Sequence, residues 1–309
     1  MKRHILYIIN PISGTKSKGA LQQLIEKKTK AAGFEYTVRP AVADNDYFFL
    51  HDIISEKKIT DVVIAGGDGT VNGVVNSLRN LEVQFGILPC GSGNGLALSA
   101  GIPKNISSAL QIIFNGKSEL TDAFLVNNHF ACMLCGLGFD AQVAHDFAAD
   151  PNRGLITYIK QSVKNFFTAK TYRFKIKSGK EEFETEAFFI SIANSNQFGN
   201  NVTIAPKASI IDGLLDIVIV TKQNKLNLLL QTLKQVGGYN ALIEKEIANS
   251  DASVIYFQTE ALQIKNLSLA PMHIDGDPCG TTEELNIKIV KKCFRLIQSF
   301  VDFLSSVSN

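Results

Sequence analysis

Short apolar runs and stretches of helical periodicity alternate along the first 118 residues. The apolar runs end at glycine, proline or asparagine, which is typical of buried strands followed by turns. Alternation of strand and helix predicts a doubly wound parallel sheet. The predicted elements are a strand at 5–10, a helix at about 17–32 that ends before Gly33, a strand at 36–38, a helix at 45–57, and strands near Val62 and Phe85.

From about residue 120 the pattern changes to alternation of apolar and polar residues. A period of two is typical of antiparallel strands with one face in water. The Asn127-Asn128 dipeptide predicts a tight hairpin turn. We expect strands at 122–126, 129–133, 172–177, 182–193, 214–220, 254–257, 261–265 and 285–290, with a helix at about 154–168. The second half is therefore predicted to be an antiparallel β-sandwich.

The last segment, 293–304, has apolar residues at helical spacing. It predicts an amphipathic helix that packs on the body of the protein, since a membrane-surface helix would normally carry more Lys and Arg. The predicted domains are an α/β nucleotide domain at 1–120, a β-sandwich substrate domain at 121–290, and a C-terminal helix at 291–309.

Two glycine-rich segments follow predicted buried strands: residues 65–70 (Ala-Gly-Gly-Asp-Gly-Thr) and 91–95 (Gly-Ser-Gly-Asn-Gly). Glycines let the backbone approach a ligand, and the N–H groups and dipole of a helix start favour a phosphate. The carboxyl ends of parallel strands meet at one edge of a sheet, so the loops are expected to converge on one ligand. Asp68 makes sense there if a divalent cation bridges it to phosphates; the alternative is a tight turn without a ligand.

These segments resemble a known family when they are taken together with residues 10–14 (Asn-Pro-Ile-Ser-Gly) and 86–89 (Gly-Ile-Leu-Pro). In order and spacing they are similar to the diacylglycerol kinase catalytic domain family, which includes bacterial lipid kinases, sphingosine kinases and ceramide kinases. The resemblance extends from about residue 4 to about residue 290. It implies a NAD kinase/diacylglycerol kinase-like nucleotide domain that binds ATP through Asn10, Ser13, Gly66, Gly67, Gly69, Thr70, Gly91, Ser92 and Asn94.

Two acidic segments of the second half also resemble the family, at 206–216 and 273–277. The first resembles a segment that binds a structural Mg²⁺, with Asp216 as the matched carboxylate. The second resembles an Asp-Gly-Glu segment whose Glu is the general base; Asp277 stands at that position, one methylene shorter. Asp-Gly before a strand is commonly only a turn, and that alternative stays open for both segments.

Phosphoryl transfer needs phosphates held in place, a metal that neutralises charge, and an oriented hydroxyl. Asp68 is expected to bind Mg²⁺ and to act in catalysis, while Asp277 is expected to orient or deprotonate the acceptor hydroxyl. Residues 136–140 resemble the family's segment at the lipid cleft, so Asp140 is a candidate for the polar head of the substrate, with a plain turn or cap as the alternative. No P-loop lysine is present, because Ala20 stands at its place after Gly14 and Gly19.

Composition narrows the partners and the location. The formal net charge is +2, which implies no field for nucleic acid. The five cysteines include Cys132 and Cys135 in an apolar run, where buried thiols are expected, and the odd count without a secretory pattern suggests a reducing cytosol. No run reaches the ~18 apolar residues of a spanning helix. We therefore expect a cytoplasmic protein that meets membrane lipid peripherally, and leave a homodimer open.

The leading hypothesis is an ATP-dependent lipid kinase with a diacylglycerol- or sphingoid-type acceptor. One alternative is a kinase of a soluble substrate such as NAD, because NAD kinases share the Gly-Gly-Asp-Gly loop. Another is a catalytically silent nucleotide-binding regulator. Three departures from the family pattern suggest the regulator: Gly73 where many members have Glu, Gly95 in the second loop, and Asp277.

Overall fold

The computed structural model describes residues 3–11, 18–150, 165, 168–199, 202–203, 205–222 and 253–299. The chain forms two compact units. The first contains Met1–Thr121 and Cys293–Asn309, and the second contains Asp122–Lys292. The strands Ser118–Val126 and Glu284–Ile297 contribute residues to both units.

The first unit alternates strands and helices as predicted. The elements are β1 (His4–Ile9), α1 (Lys18–Ala31), β2 (Glu35–Pro40), α2 (Leu50–Glu56), β3 (Asp61–Gly66), α3 (Asp68–Leu78), β4 (Gln84–Pro89), α4 (Gly95–Ser99) and α5 (Ile106–Asn115). The sheet has the order β2-β1-β3-β4, and all of these strands are parallel. All six residues of β3 are buried, because a parallel sheet of this type is covered on both faces.

The first helix ends as expected and the second begins later than expected. Gly33 has a φ of 76°, the left-handed conformation that commonly ends a helix. The predicted helix at 45–57 starts only at Leu50. The Asp46 carboxylate accepts the N–H of Phe48 at 3.0 Å, and the Asp44 carboxylate accepts the N–H of Asp46 at 3.3 Å. These local side-chain bonds hold residues 44–49 in turns that compete with the helix.

The second unit consists mainly of antiparallel strands, as predicted. The elements are β5 (Ser118–Val126), β6 (His129–Ala131), β7 (Leu134–Gly138), α6 (Phe139–Ala149), β8 (Tyr172–Ser178), β9 (Glu181–Ala193), β10 (Gln197–Gly199), β11 (Val202–Thr203), β12 (Leu215–Thr221), β13 (Val254–Thr259), β14 (Ala261–Asn266), β15 (Met272–Ile274), β16 (Asp277–Cys279) and β17 (Glu284–Ile297). The strand order is β16-β15-β7-β9-β8-β14-β17, with β12 and then β13 joined to the other side of β9, and β5 paired with β6 and β17.

Strand β12 shows why parts of this unit have no polar face. Ile217 and Ile219 belong to one apolar cluster, and Val218 and Val220 belong to another. Successive side chains of a strand point to opposite faces, so β12 packs against apolar residues on both sides.

The helix α6 was not predicted, and the helix predicted at 154–168 lies almost wholly outside the described residues.

The predicted C-terminal helix is wrong for residues 293–297. These residues continue β17 and run parallel to β4, with Leu296 opposite Phe85. Phe294 is buried and packs edge-on against Phe85 with ring centroids 5.9 Å apart, while Arg295 is exposed. The apolar residues of this segment fit both a helical spacing and a spacing of two. Because the edge of the parallel sheet beside β4 is open to the segment, pairing with β4 selects the strand. Residues 300–309 lie outside the described part.

The strand assignment predicts unequal effects at two adjacent positions. Phe294→Ala should lower the free energy of unfolding of the first unit by about 3–5 kcal/mol, because it leaves a cavity against Phe85. Arg295→Ala, the matched control on the exposed face, should change it by less than about 0.5 kcal/mol. Calorimetric unfolding measures both variants. Equal losses of unfolding free energy at the two positions would contradict the assignment of residues 293–297 to a strand.

Candidate active site

The strand order of the first unit reverses direction between β1 and β3. Ligands in open α/β sheets bind outside the carboxyl ends of the strands at such a point. Asn10 follows β1, and its side-chain amide donates to the Thr70 hydroxyl at 2.8 Å. The backbone N–H of Asn10 also donates to the Ala65 carbonyl at 2.9 Å. The first loop is thereby joined to the second at the predicted position, whereas Ser13 lies outside the described residues.

The loops after β3 and β4 lie against each other, as predicted. A Cβ atom added at Gly91 would lie 2.5 Å from the Cα atom of Gly67, and one added at Gly66 would lie 2.8 Å from the Thr70 Cβ atom. These distances are too short for any side chain. Glycine is therefore required at 91 by the close approach of two backbones and at 66 by the Thr70 side chain. The N–H groups of both loops share one edge of the sheet.

Asp68 is the first residue of α3 and is partly exposed. The first-turn N–H groups of a helix have no acceptor within the helix, so this end attracts anions. A carboxylate in the first turn is favourable for the helix on its own account. It is also the type of group that binds Mg²⁺ when phosphates supply further oxygens. Asp68 thus offers a carboxylate at this edge, while the neighbouring Thr70 is buried and its hydroxyl accepts the Asn10 amide.

Asn94 has a structural task that the sequence did not indicate. It adopts the left-handed conformation with a φ of 59°, and it is 3% exposed. Its side-chain oxygen accepts the N–H of Gly91 at 2.8 Å, and its amide donates to the Gly91 carbonyl at 2.7 Å. The side chain closes the second loop, so an effect of Asn94 on a ligand acts through the shape of that loop. Ser92 is exposed beside it.

In the second unit, Asp216 lies on β12 and is fully buried. Its carboxylate accepts hydrogen bonds from the Tyr256 hydroxyl and from the Gln258 amide, the latter at 3.3 Å. Burial raises the pKa of Asp216. The carboxylate that the resemblance implies as a Mg²⁺ ligand is thus bonded to two protein side chains, and its role as a metal ligand stays a prediction. Among the described residues, no group of three or more His, Cys, Asp or Glu is placed to hold a metal ion.

The second acidic segment is a two-residue hairpin turn between β15 and β16. Asp275 and Gly276 have φ angles of 50° and 87°, which is typical of a type I′ turn. The Asp275 carboxylate accepts three backbone N–H groups, from Cys132, Met133 and Leu134, at 2.8, 2.9 and 3.0 Å. Asp275 therefore fixes the hairpin to β7 and the residues before it. Asp277 follows the turn and is exposed at the start of β16.

Asp140 lies in the first turn of α6 and is 6% exposed. One carboxylate oxygen accepts the N–H of Ala141 at 2.8 Å, and the other lies 3.6 Å from Nε2 of His273. His273 is 1% exposed and was missed by the sequence analysis. Its only signal was its position two residues before the Asp-Gly turn. One oxygen of Asp140 is therefore bonded locally in the first turn of α6, and the other faces His273.

Two known domains match the chain in succession. Residues 4–126 match the Diacylglycerol kinase catalytic domain, and residues 134–298 match the YegS C-terminal NAD kinase beta sandwich-like domain. The second match confirms the predicted β-sandwich. Together with the two glycine loops, these domains define a phosphotransferase with an alcohol group as acceptor. The chain belongs to the diacylglycerol kinase catalytic domain family, as the motifs had indicated.

Individual relatives agree with this membership. A diacylglycerol kinase of Staphylococcus aureus (strain bovine RF122 / ET3-1) is 25% identical over 285 residues, which are 91% of this chain and 88% of the relative. The uncharacterized protein sll0036 of Synechocystis sp. is 28% identical over 242 residues, 76% of this chain, and the match spans about half of that protein, 54%.

Similarity also extends to solved structures. The crystal structure of a diacylglycerol kinase from Bacillus anthracis str. Sterne matches with a TM-score of 0.73 and 20% sequence identity. The match covers 96% of this chain and 97% of that one. At this identity the likeness establishes the fold.

Within the described residues, no helix has the length and apolar character needed to cross a membrane.

The environment of Asp216 gives a pH-dependent prediction. Its pKa in the folded protein is raised above the ordinary value of 3.8. The stability that comes from the protonated group is therefore complete below the ordinary pKa and is lost as pH rises through the raised pKa. We expect the wild type to lose unfolding free energy relative to Asp216→Asn as pH rises above the ordinary pKa of 3.8 and through the raised pKa of the folded protein.

Urea unfolding in the presence of EDTA measures this difference. The same urea unfolding in the presence of Mg²⁺ is the control. If Asp216 were a metal ligand, Mg²⁺ would stabilise the wild type by binding the ionised carboxylate. If Mg²⁺ raised the wild-type midpoint and left Asp216→Asn unchanged, Asp216 would be a metal ligand and our reading of its environment would be wrong.

Proposed function

We propose that this protein transfers the γ-phosphate of ATP to the hydroxyl of a diacylglycerol- or sphingoid-type lipid, with Mg²⁺ and a carboxylate base. The observation that carries the proposal is the backbone contact of Gly67 and Gly91 at the carboxyl ends of β3 and β4, inside the matched kinase domain. Such a contact gathers backbone N–H groups where an anionic ligand can meet them.

The glycine loops would hold the phosphates. Asn10 and Thr70 are bonded to each other at this edge, which keeps the first two loops in register. Asp68 and the nucleotide's phosphates would hold Mg²⁺, which when bound neutralises charge that develops on the transferred group. The protein's contribution is a preformed set of donors that does not have to reorganise during the reaction.

Asp277 would take the proton of the lipid hydroxyl while the hydroxyl oxygen bonds to the γ-phosphorus and ADP leaves. Asp277 is exposed at the start of β16, where the hydroxyl of a lipid substrate can reach its carboxylate. Asp275 keeps this hairpin fixed through its three backbone bonds. A base held on a rigid turn loses little entropy when it meets the substrate hydroxyl.

The structure weakens one argument for a silent regulator. A Cβ atom added at Gly73 would lie 2.7 Å from the Asn45 Cβ atom and 2.8 Å from the Asn45 carbonyl oxygen. The glutamate that many members carry cannot fit at this position. Packing of the 44–49 turns against α3 therefore accounts for Gly73.

We also propose a cytoplasmic location with peripheral access to membrane lipid.

A panel of acceptors tests the function. Purified protein is incubated with γ-labelled ATP and Mg²⁺ in mixed micelles that contain diacylglycerol, a sphingoid base, ceramide or phosphatidylglycerol, and separately with NAD. We expect label in the organic phase with one of the lipids. Label on NAD would support the soluble-substrate alternative. ATP binding without transfer to any acceptor would support the regulator.

Substitution of the two carboxylates should separate their roles. Asp68→Asn should lower kcat by roughly 10²–10³-fold, the scale for loss of one key electrostatic group. Asp277→Asn should lower kcat by about 10²–10⁴-fold and leave the KM for ATP nearly unchanged, because the base does not contact the nucleotide. Asp277→Glu restores the family's residue and should keep or raise activity.

Steady-state kinetics with the accepted lipid measures these effects. Glu283→Gln, an exposed acid in the same unit, is the control and should keep full activity. Wild-type turnover by Asp277→Asn would make Asp277 a turn residue and would leave Asp68 as the candidate base.

A further inference from the structure

We propose that His273 and Asp140 form a buried positioning pair that holds the turn before Asp277 in its productive place. The proposal rests on the proposed function, because it assigns Asp277 to the acceptor hydroxyl. Neither His273 nor Asp140 contacts the reacting atoms in this scheme. They act through the backbone of the β15–β16 hairpin.

The histidine ring bonds to the turn itself. Nδ1 of His273 accepts the backbone N–H of Gly276 at 3.2 Å, and Gly276 is bonded directly to Asp277 along the chain. Since Nδ1 is an acceptor, the hydrogen of the neutral ring is on Nε2. Nε2 faces the Asp140 carboxylate at 3.6 Å. The ring is therefore hydrogen-bonded to the turn and lies against the Asp140 carboxylate at the start of α6, at a distance longer than a hydrogen bond.

A second contact fixes the same helix to the same hairpin. Nε2 of His145, on α6, lies 2.9 Å from the Met272 carbonyl oxygen at the start of β15. The Asp140 oxygen that does not face His273 accepts the N–H of Ala141 within α6. Helix α6 is thus in polar contact with Met272 and His273, two residues of β15 that precede the turn, and we infer that the position of Asp277 depends on these contacts.

The chain makes room for this pair at one position of β7. A Cβ atom added at Gly136 would lie 2.1 Å from Oδ2 of Asp140 and 2.5 Å from Nε2 of His273. Any side chain at 136 would separate the two groups. A buried polar pair of this kind is rarely the most stabilising use of the space, since apolar residues of similar volume do as well or better. We therefore infer that the pair serves to position the neighbouring Asp277.

The test uses matched variants in the lipid kinase assay. His273→Leu removes the ring nitrogens, and Gly136→Ala pushes the pair apart; both should lower kcat on the order of 10²-fold, the cost of a misplaced reactive group. His273→Asn keeps an acceptor at the position of Nδ1 and should stay within about threefold of the wild type. Gly280→Ala is the control, because no atom lies within 4 Å of its Cβ position.

A double-mutant cycle with Asp277→Asn distinguishes positioning from general loss of structure. If the pair acts through Asp277, then His273→Leu should lower kcat by less than about threefold in the Asp277→Asn background. The KM for ATP should stay within about twofold in all variants. A ¹⁵N spectrum of the imidazole should show the Nε2–H tautomer in the wild type.

Two results would overturn the inference while the proposed function stands. One is wild-type kcat in both His273→Leu and Gly136→Ala. The other is an equal loss from His273→Leu with and without Asp277, which would indicate a merely structural residue. Absence of phosphoryl transfer by the wild-type protein to every lipid would instead overturn the proposed function, and the inference with it.

Discussion

The first unit depends on the contact of two backbones at Gly67 and Gly91. The ends of β3 and β4 approach so closely that a Cβ atom at 91 would lie 2.5 Å from the facing Cα atom. Asn94 then closes the second loop through both backbone groups of Gly91. Donors from two loops and one helix start are gathered at one edge of the sheet as a result. Backbone N–H donors gathered in this way favour an anionic ligand.

The second unit uses buried carboxylates to hold its own backbone. Asp275 accepts three N–H groups before and within β7, and Asp122 accepts the N–H groups of Gly213 and Lys292, each at 2.7 Å. A carboxylate has enough acceptor sites to satisfy several donors at once. Acidic residues that stand side by side in a motif can therefore have separate tasks, since Asp275 is buried in the framework while Asp277 remains exposed.

Departures from a family pattern can have a local cause. Gly73 replaces a residue that would collide with Asn45, and Asn45 is held there by turns that shorten α2. Asp216 matches the family's metal ligand in the sequence, yet its oxygens bond to Tyr256 and Gln258 on the neighbouring strand. A motif identifies a position, and the neighbours of that position determine its chemistry.

By itself the sequence determined the order of strands and helices in the first unit, the antiparallel character of the second, the glycine loops and the family. These properties follow from local periodicity and from motifs of contiguous residues, which are encoded over a few neighbouring positions. Only the tertiary structure decided that Arg295 and Leu296 of β17 pair with β4, that Asn94 closes a loop, and that His273 meets Asp140. Each of these depends on residues distant in the chain, whose meeting is set by packing that no local pattern records.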